Sequence, residues 1–174
     1  MVVVMRTKPV MLATVLLLMV SSPNLLGQQP KQVTLQRLSS SAGYIFVGRV
    51  KSVQYIAATS GHVPSVKVRF QVEQGLRGVR SGSVLTIRQW AGLWDAGERY
   101  RAGERLLLFL YRPSKLGLTS PVAGAQGRFV LDRNGQVLLG MERTALWRDS
   151  WQKARRDRVP LRTFVRRFDR IEEK

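Results

Sequence analysis

SVKVRFQVE, residues 65–73, is the stretch on which the fold turns. Val66, Val68, Phe70 and Val72 alternate strictly with Lys67, Arg69, Gln71 and Glu73. A period of two puts the first set on one face of a pleated strand and the second on the other, the signature of a half-buried β-strand. Its neighbours carry the same signal less regularly. Upstream, residues 44–55 (YIFVGRVKSVQY) hold Ile45 and Val47 in phase and Val50 and Val53 out of it, with Gly48 at the break. A glycine at such a break predicts a β-bulge or a sharp bend. Downstream, Gly75-Leu76-Arg77-Gly78 and Ser81-Gly82 lead into residues 83–90, where Leu85 and Ile87 oppose Thr86 and Arg88. Residues 105–112 (RLLLFLYR) are a continuous apolar run, consistent with a central strand covered on both faces, with a helix the alternative that so short a run leaves open. Asn134-Gly135 between two short apolar runs, 129–131 and 137–139, predicts a hairpin.

The chain between and beyond these strands reads differently. Residues 56–64, 91–103 and 113–127 are rich in Gly, Pro and polar residues and are expected to be loops, the second carrying Trp94 and Tyr100. Residues 33–38 fit either a first strand or a helical turn. After Pro160, Leu161, Phe164, Val165, Phe168 and Ile171 recur at helical spacing, with Arg162, Arg166, Arg167 and Arg170 elsewhere on the cylinder. The expected fold is mainly β: a small five- to six-stranded OB-like barrel, closed or nearly so, capped by a C-terminal amphipathic helix. Closure would remove the sheet edges that an exported β-protein otherwise exposes. In domain terms, 1–27 is a signal peptide, 28–41 a flexible lead, 42–142 the barrel and 143–174 a helical segment packed on it.

The succession Phe46-Val47-Gly48-Arg49-Val50, Val68-Arg69-Phe70-Gln71-Val72, Leu76-Arg77-Gly78 and Gly103-Glu104-Arg105-Leu106-Leu107-Leu108-Phe109-Leu110 resembles the OB-fold of netrin modules and tissue inhibitors of metalloproteinases. The resemblance spans about residues 44–110 and implies a fold, in a version like exported bacterial domains of unassigned role. The inhibitors of that family chelate a protease's zinc through an N-terminal cysteine, and this chain has no cysteine, so their mechanism does not carry over. Fold alone licenses no function.

The first 27 residues show Arg6 and Lys8, an apolar run at 10–20, then Ser21-Ser22-Pro23 and a small residue at Gly27, the pattern of a secretory signal peptide. The run is short of the about 20 apolar residues that span a bilayer. Cleavage after Gly27 is expected, with retention as an anchor the alternative, and the destination is the periplasm or the cell exterior. Cleavage would take two cations from a formal charge of +18 and leave +16 on about 147 residues. Without disulfides, a chain of that size depends on one ordinary hydrophobic core. Such a field attracts anionic polymers and surfaces. Export removes nucleic acid from the expected partners and leaves lipopolysaccharide, anionic phospholipid, acidic cell-wall polymer or an acidic protein. A compositional preference for Arg would raise the charge equally.

Catalytic material is sparse. His62 is the one histidine, in a loop flanked by Gly and Pro; Asp95 and Glu98 are more simply loop charges than a glycosidase pair; and no nucleophile elbow or phosphate loop is present. The chain is therefore read as non-enzymatic, with no cofactor and no metal. Alternation sends Lys67 and Arg69 outward on one strand and Arg88 on the next, with Arg49 and Lys51 expected to join them and Trp90, Trp94 and Tyr100 nearby to stack or clamp. This cationic strand face is the candidate ligand site, since OB-folds bind around their second and third strands. A weaker candidate is Trp147, Trp151, Arg155 and Arg156, which as a helix would suit a membrane surface. Two functions follow: a binding module for anionic polymers or surfaces, or a protein-interaction or inhibitor-like module that captures a partner through loops such as 91–103.

Overall fold

The computed structural model describes residues 33–95, 99–139 and 158–173. Among them seven strands form one antiparallel sheet: β1 Tyr44–Ile56, β2 Ser65–Arg77, β3 Val84–Trp90, β4 Arg105–Leu110, β5 Arg128–Leu131, β6 Gln136–Leu138 and β7 Arg158–Pro160. Their spatial order is β3-β2-β1-β4-β5-β6-β7. Helices α1 Leu35–Ser41, α2 Ala91–Asp95 and α3 Leu161–Glu172 accompany the sheet, with a short 3₁₀ turn at Gly124–Gly127.

The mainly β expectation holds, with corrections to strand number and closure. There are seven strands, not five or six, and the sheet is open, with β3 and β7 outermost. β7 is three residues long and ends in Pro160, which has no N–H to give a further strand, so it cannot extend the ladder toward closure. So short a strand also leaves no period in the sequence. The flexible lead expected up to Ser41 is corrected too. Thr34 caps α1 by accepting from the Arg37 N–H at 3.2 Å, and Leu35 and Leu38 are buried. The 1–27 segment, the 142/143 boundary and Trp147, Trp151, Arg155 and Arg156 lie outside the described residues.

Strand β4 and the first part of β1, residues 45–48, are covered on both faces, as the apolar run of β4 predicts. Ile45, Val47, Leu107 and Phe109 point into one core, shared with Leu38 of α1, Phe129 and Val137 of the β5–β6 hairpin, and Phe164 and Phe168 of α3. The ring of Phe109 lies 6.0 to 6.3 Å from those of Phe129, Phe164 and Phe168, mostly edge to face. Phe46, Val50, Leu106, Leu108 and Leu110 point into the other core, with Val66, Val68, Phe70, Val72, Ile87, Ala91 and Tyr100. Burial of a side chain such as Phe164 contributes about 1.5–3 kcal/mol, which is what fixes α3 to the sheet.

The register breaks where the phase of β1 breaks, but the extra residue is on the other strand. Val47 faces Gln74 and Gly48 faces Val72, so Glu73 is the residue bulged out of β2. On β1 the extra residue is Lys51, between Val50 opposite Phe70 and Ser52 opposite Arg69. Gly48 sits in a crowded place: a Cβ there would stand 3.0 Å from the Gln71 carbonyl oxygen and 3.1 Å from the Phe46 ring, so a neighbour would have to yield by a few tenths of an ångström.

The hairpin at Asn134-Gly135 is present, with the Asp132 carboxylate accepting from the N–H of Asn134 and of Gln136, both at 2.9 Å. The Leu161 N–H donates to the Gly135 carbonyl at 3.2 Å, tying the start of α3 to this turn. Residues 91–103 are expected to be loop throughout, but α2 occupies 91–95 and Ala91 and Tyr100 are buried; 99–103 are loop, and 96–98 lie outside the described residues. No helix among the described residues is long and apolar enough to cross a membrane.

Candidate functional site

Cross-strand pairing determines which outward side chains are neighbours. On the outer face of β1, β2 and β3, Gln54, Lys67 and Arg88 form one row and Ser52, Arg69 and Thr86 the next. Directly opposite residues bring their Cβ atoms to about 4.5–5.5 Å. Lys67 and Arg88 are thus like charges placed face to face, an arrangement that destabilises a sheet slightly. Arg69 and the bulged Lys51 are exposed, and Lys67 is half-buried. None of Lys51, Lys67, Arg69 and Arg88 makes an ion pair among the described residues.

Arg49 does not belong with them. It lies in the row of Gln71 and Val84, and its guanidinium is 3.5 Å from the Glu73 carboxylate and donates to the Gly103 carbonyl at 3.2 Å. The other oxygen of Glu73 accepts from Arg105 Nε at 2.6 Å. The bulge that pushes Glu73 out of β2 is what places this carboxylate between two arginines. Arg49, expected to join the outward cations, is thus ion-paired within the fold while its side chain stays 49% exposed.

This chain matches no family, no curated protein and no solved structure.

Of the three aromatic candidates, only Trp90 is substantially exposed, at 52%. It shares a row with Ser65, and its ring lies over Gly92, where a Cβ would come within 2.3 Å of it. Trp94 is half-buried against the core of β2 and β3. Tyr100 is 3% exposed; its hydroxyl accepts from Gln89 Nε2 at 3.1 Å and its ring carries the Arg128 guanidinium at 4.8 Å. Arg128 is held in turn by both oxygens of Glu104, at 2.8 and 2.7 Å. Tyr100 is thus a core residue with a satisfied hydroxyl and offers a ligand no stacking surface. Its position after a Gly-rich, charged stretch gave no hint of burial, whereas its contact with Phe70, 5.7 Å between ring centres, spans thirty residues of chain.

Arg88 differs from the other cations of the face. It is half-buried, its Nη2 donates to the fully buried Ser65 hydroxyl at 3.3 Å, and its carbonyl accepts from the Thr119 N–H at 2.8 Å. Thr119 follows Lys115 in the β4–β5 connection, and no spacing in the sequence announces that this loop reaches β3.

A second cationic surface is helical. Arg162, Arg166 and Arg170 are exposed at every fourth residue of α3, but Asp169 and Glu173 stand three places from Arg166 and Arg170. The strand rows have no acid in them. Asp95 lies at the end of α2, and Glu98 lies outside the described residues. Among the described residues, no group of three or more His, Cys, Asp or Glu is placed to hold a metal ion.

Proposed function

We propose that the chain is an exported, non-enzymatic binding module that holds anionic polymers or anionic surfaces against the outer face of β1, β2 and β3. The observation that carries this reading is the set of Lys67, Arg69 and Arg88 on adjacent register positions, with the exposed Lys51 bulged out of β1 beside them, none with a carboxylate partner among the described residues. Opposed like charges cost the fold up to about 1 kcal/mol and are offset when an anion bridges them. Trp90, exposed in the neighbouring row, adds an aromatic surface. Export rests on the charge and apolar pattern of residues 1–27, and kinship with cysteine-free netrin-module domains rests on the residue pattern at 46–50, 68–78 and 103–110. Capture of a protein through residues 91–103 is less well supported, since Tyr100 is buried and Trp94 faces the core.

The test is binding of the full chain and of a Lys51→Glu/Lys67→Glu/Arg69→Glu variant to lipopolysaccharide, anionic vesicles and an acidic polysaccharide over a salt series. Arg88 is left unchanged because it holds Ser65. The wild type should bind at physiological salt with log affinity falling against log salt at a slope of about −4, roughly one unit for each of the four cations neutralised, and the variant should lose that binding. Equal binding by both proteins would refute the assignment of the face.

A further inference from the structure

Two loops outside the strand rows meet over Arg88. The β1–β2 connection turns tightly at Thr59 and His62, whose backbones exchange hydrogen bonds at 3.2 and 2.9 Å, and Gly61 takes a left-handed φ of +83° to allow it. The β4–β5 connection closes on Ser114. Ser114 N–H donates to the Leu118 carbonyl and Gly117 N–H to the Ser114 carbonyl, both at 2.8 Å, and the Ser114 hydroxyl accepts from the Leu116 and Leu118 N–H groups at 3.3 Å. Both loops are held in place by their own backbone bonds.

Between them lies a cavity of about 300 Å³, lined by His62, Val63, Arg88, Lys115, Leu116 and Leu118. That volume is at the small end of ligand pockets. Its polar lining is basic: an imidazole, a guanidinium and an ammonium, with no carboxylate. Arg88 is anchored to Ser65 by one nitrogen, and no carboxylate among the described residues pairs with its guanidinium. A half-buried guanidinium without a counter-ion is a ready partner for an oxyanion. The remaining wall, Val63, Leu116 and Leu118, is aliphatic, and Leu116 is 67% exposed despite being apolar.

We propose that this cavity binds a phosphate monoester bearing a small apolar ester group, the phosphate facing Arg88, Lys115 and His62 and the ester group facing Val63, Leu116 and Leu118. Three donor-bearing side chains lining one cavity suit a dianion better than a monoanionic carboxylate. The preformed loops reduce the ordering cost of binding. The inference goes beyond the polymer-binding face, with which it shares Arg88; His62 and Lys115 are on neither strand row.

Phenyl phosphate is titrated into the full chain at fixed ionic strength, by calorimetry and by backbone amide shifts, with benzoate in parallel. Saturable binding is expected, with shifts at residues 61–63, 88 and 115–118. Loss of one charge-assisted contact in Lys115→Ala should weaken it about tenfold or more, whereas Arg162→Glu/Arg166→Glu on the exposed side of α3 should change it less than about twofold. Benzoate should bind about tenfold more weakly. If Lys115→Ala also weakens binding to lipopolysaccharide, the phosphate is polymer-borne; if it weakens phenyl phosphate alone, the ligand is a free ester. Absence of saturation, an unchanged affinity in Lys115→Ala, shifts confined to residues 51, 67 and 69, or benzoate binding as tightly as phenyl phosphate would overturn the proposal.

Discussion

Along the outer face of β2, Glu73 stands between Arg49 and Arg105, at 3.5 and 2.6 Å, whereas four and six residues back along the same strand Arg69 and Lys67 face Ser52, Thr86, Gln54 and Arg88 and meet no carboxylate. The two halves carry the same kind of side chain in one continuous ladder. In the first, a bulge delivers an acid to two arginines and their charge is spent on holding β1, β2 and β4 in register. In the second, nothing inside the fold uses the charge, and opposition of Lys67 to Arg88 works slightly against it. Net charge alone does not separate these cases; register and pairing do.

The largest effect that would sharpen this contrast is in the unpaired half. Lys51→Glu/Lys67→Glu/Arg69→Glu should lower affinity for an acidic polysaccharide about 100-fold at low salt, with thermal stability retained, as measured by equilibrium binding and a melting curve. Next comes the pair beneath the paired half. Glu104→Gln removes the carboxylate that grips the Arg128 guanidinium over Tyr100 and should cost about 2 kcal/mol by urea denaturation, less than for a fully buried pair because both side chains keep 16–17% exposure. Glu73→Gln should cost less than about 1 kcal/mol, since Arg49 and Arg105 stay partly solvated, and should raise polysaccharide affinity by releasing them. A fall in that affinity would mean that the paired half is itself the binding surface. Smallest is Lys67→Thr, which removes the clash with Arg88 in a β-branched residue and should stabilise the protein by a few tenths of a kcal/mol while weakening binding.

The strands whose side chains answer to one neighbour were legible in the chain. The period of two over 66–72 stated which face of β2 is buried, the run at 106–110 stated that β4 is covered twice, and Phe164 and Phe168 stated the buried stripe of α3. What was not legible depends on groups far apart in sequence. The Glu73–Arg105 contact joins residues thirty-two apart, the burial of Tyr100 depends on Phe70 and Arg128, and the cavity at Arg88 depends on two loops whose only sequence signals are Gly61 and Gly117. β7 has too few residues to show any period, and α1 presents only Leu35 and Leu38, too short a stripe to tell a helix from a strand. Of the candidate site, Lys51, Lys67, Arg69 and Arg88 were placed together by alternation, while the separation of Arg49 needed the bulge at Glu73.

The central claim is that anions bind where charge is unpaired, and backbone amide shift mapping of the full chain with a short sulfated dextran tests it most directly. The account predicts shifts centred on residues 51–54, 67–69 and 86–90, with residues 49, 73, 105 and 128 and the arginine row of α3 unmoved. Shifts centred on Arg162, Arg166 and Arg170, or spread evenly over every exposed cation, would contradict it.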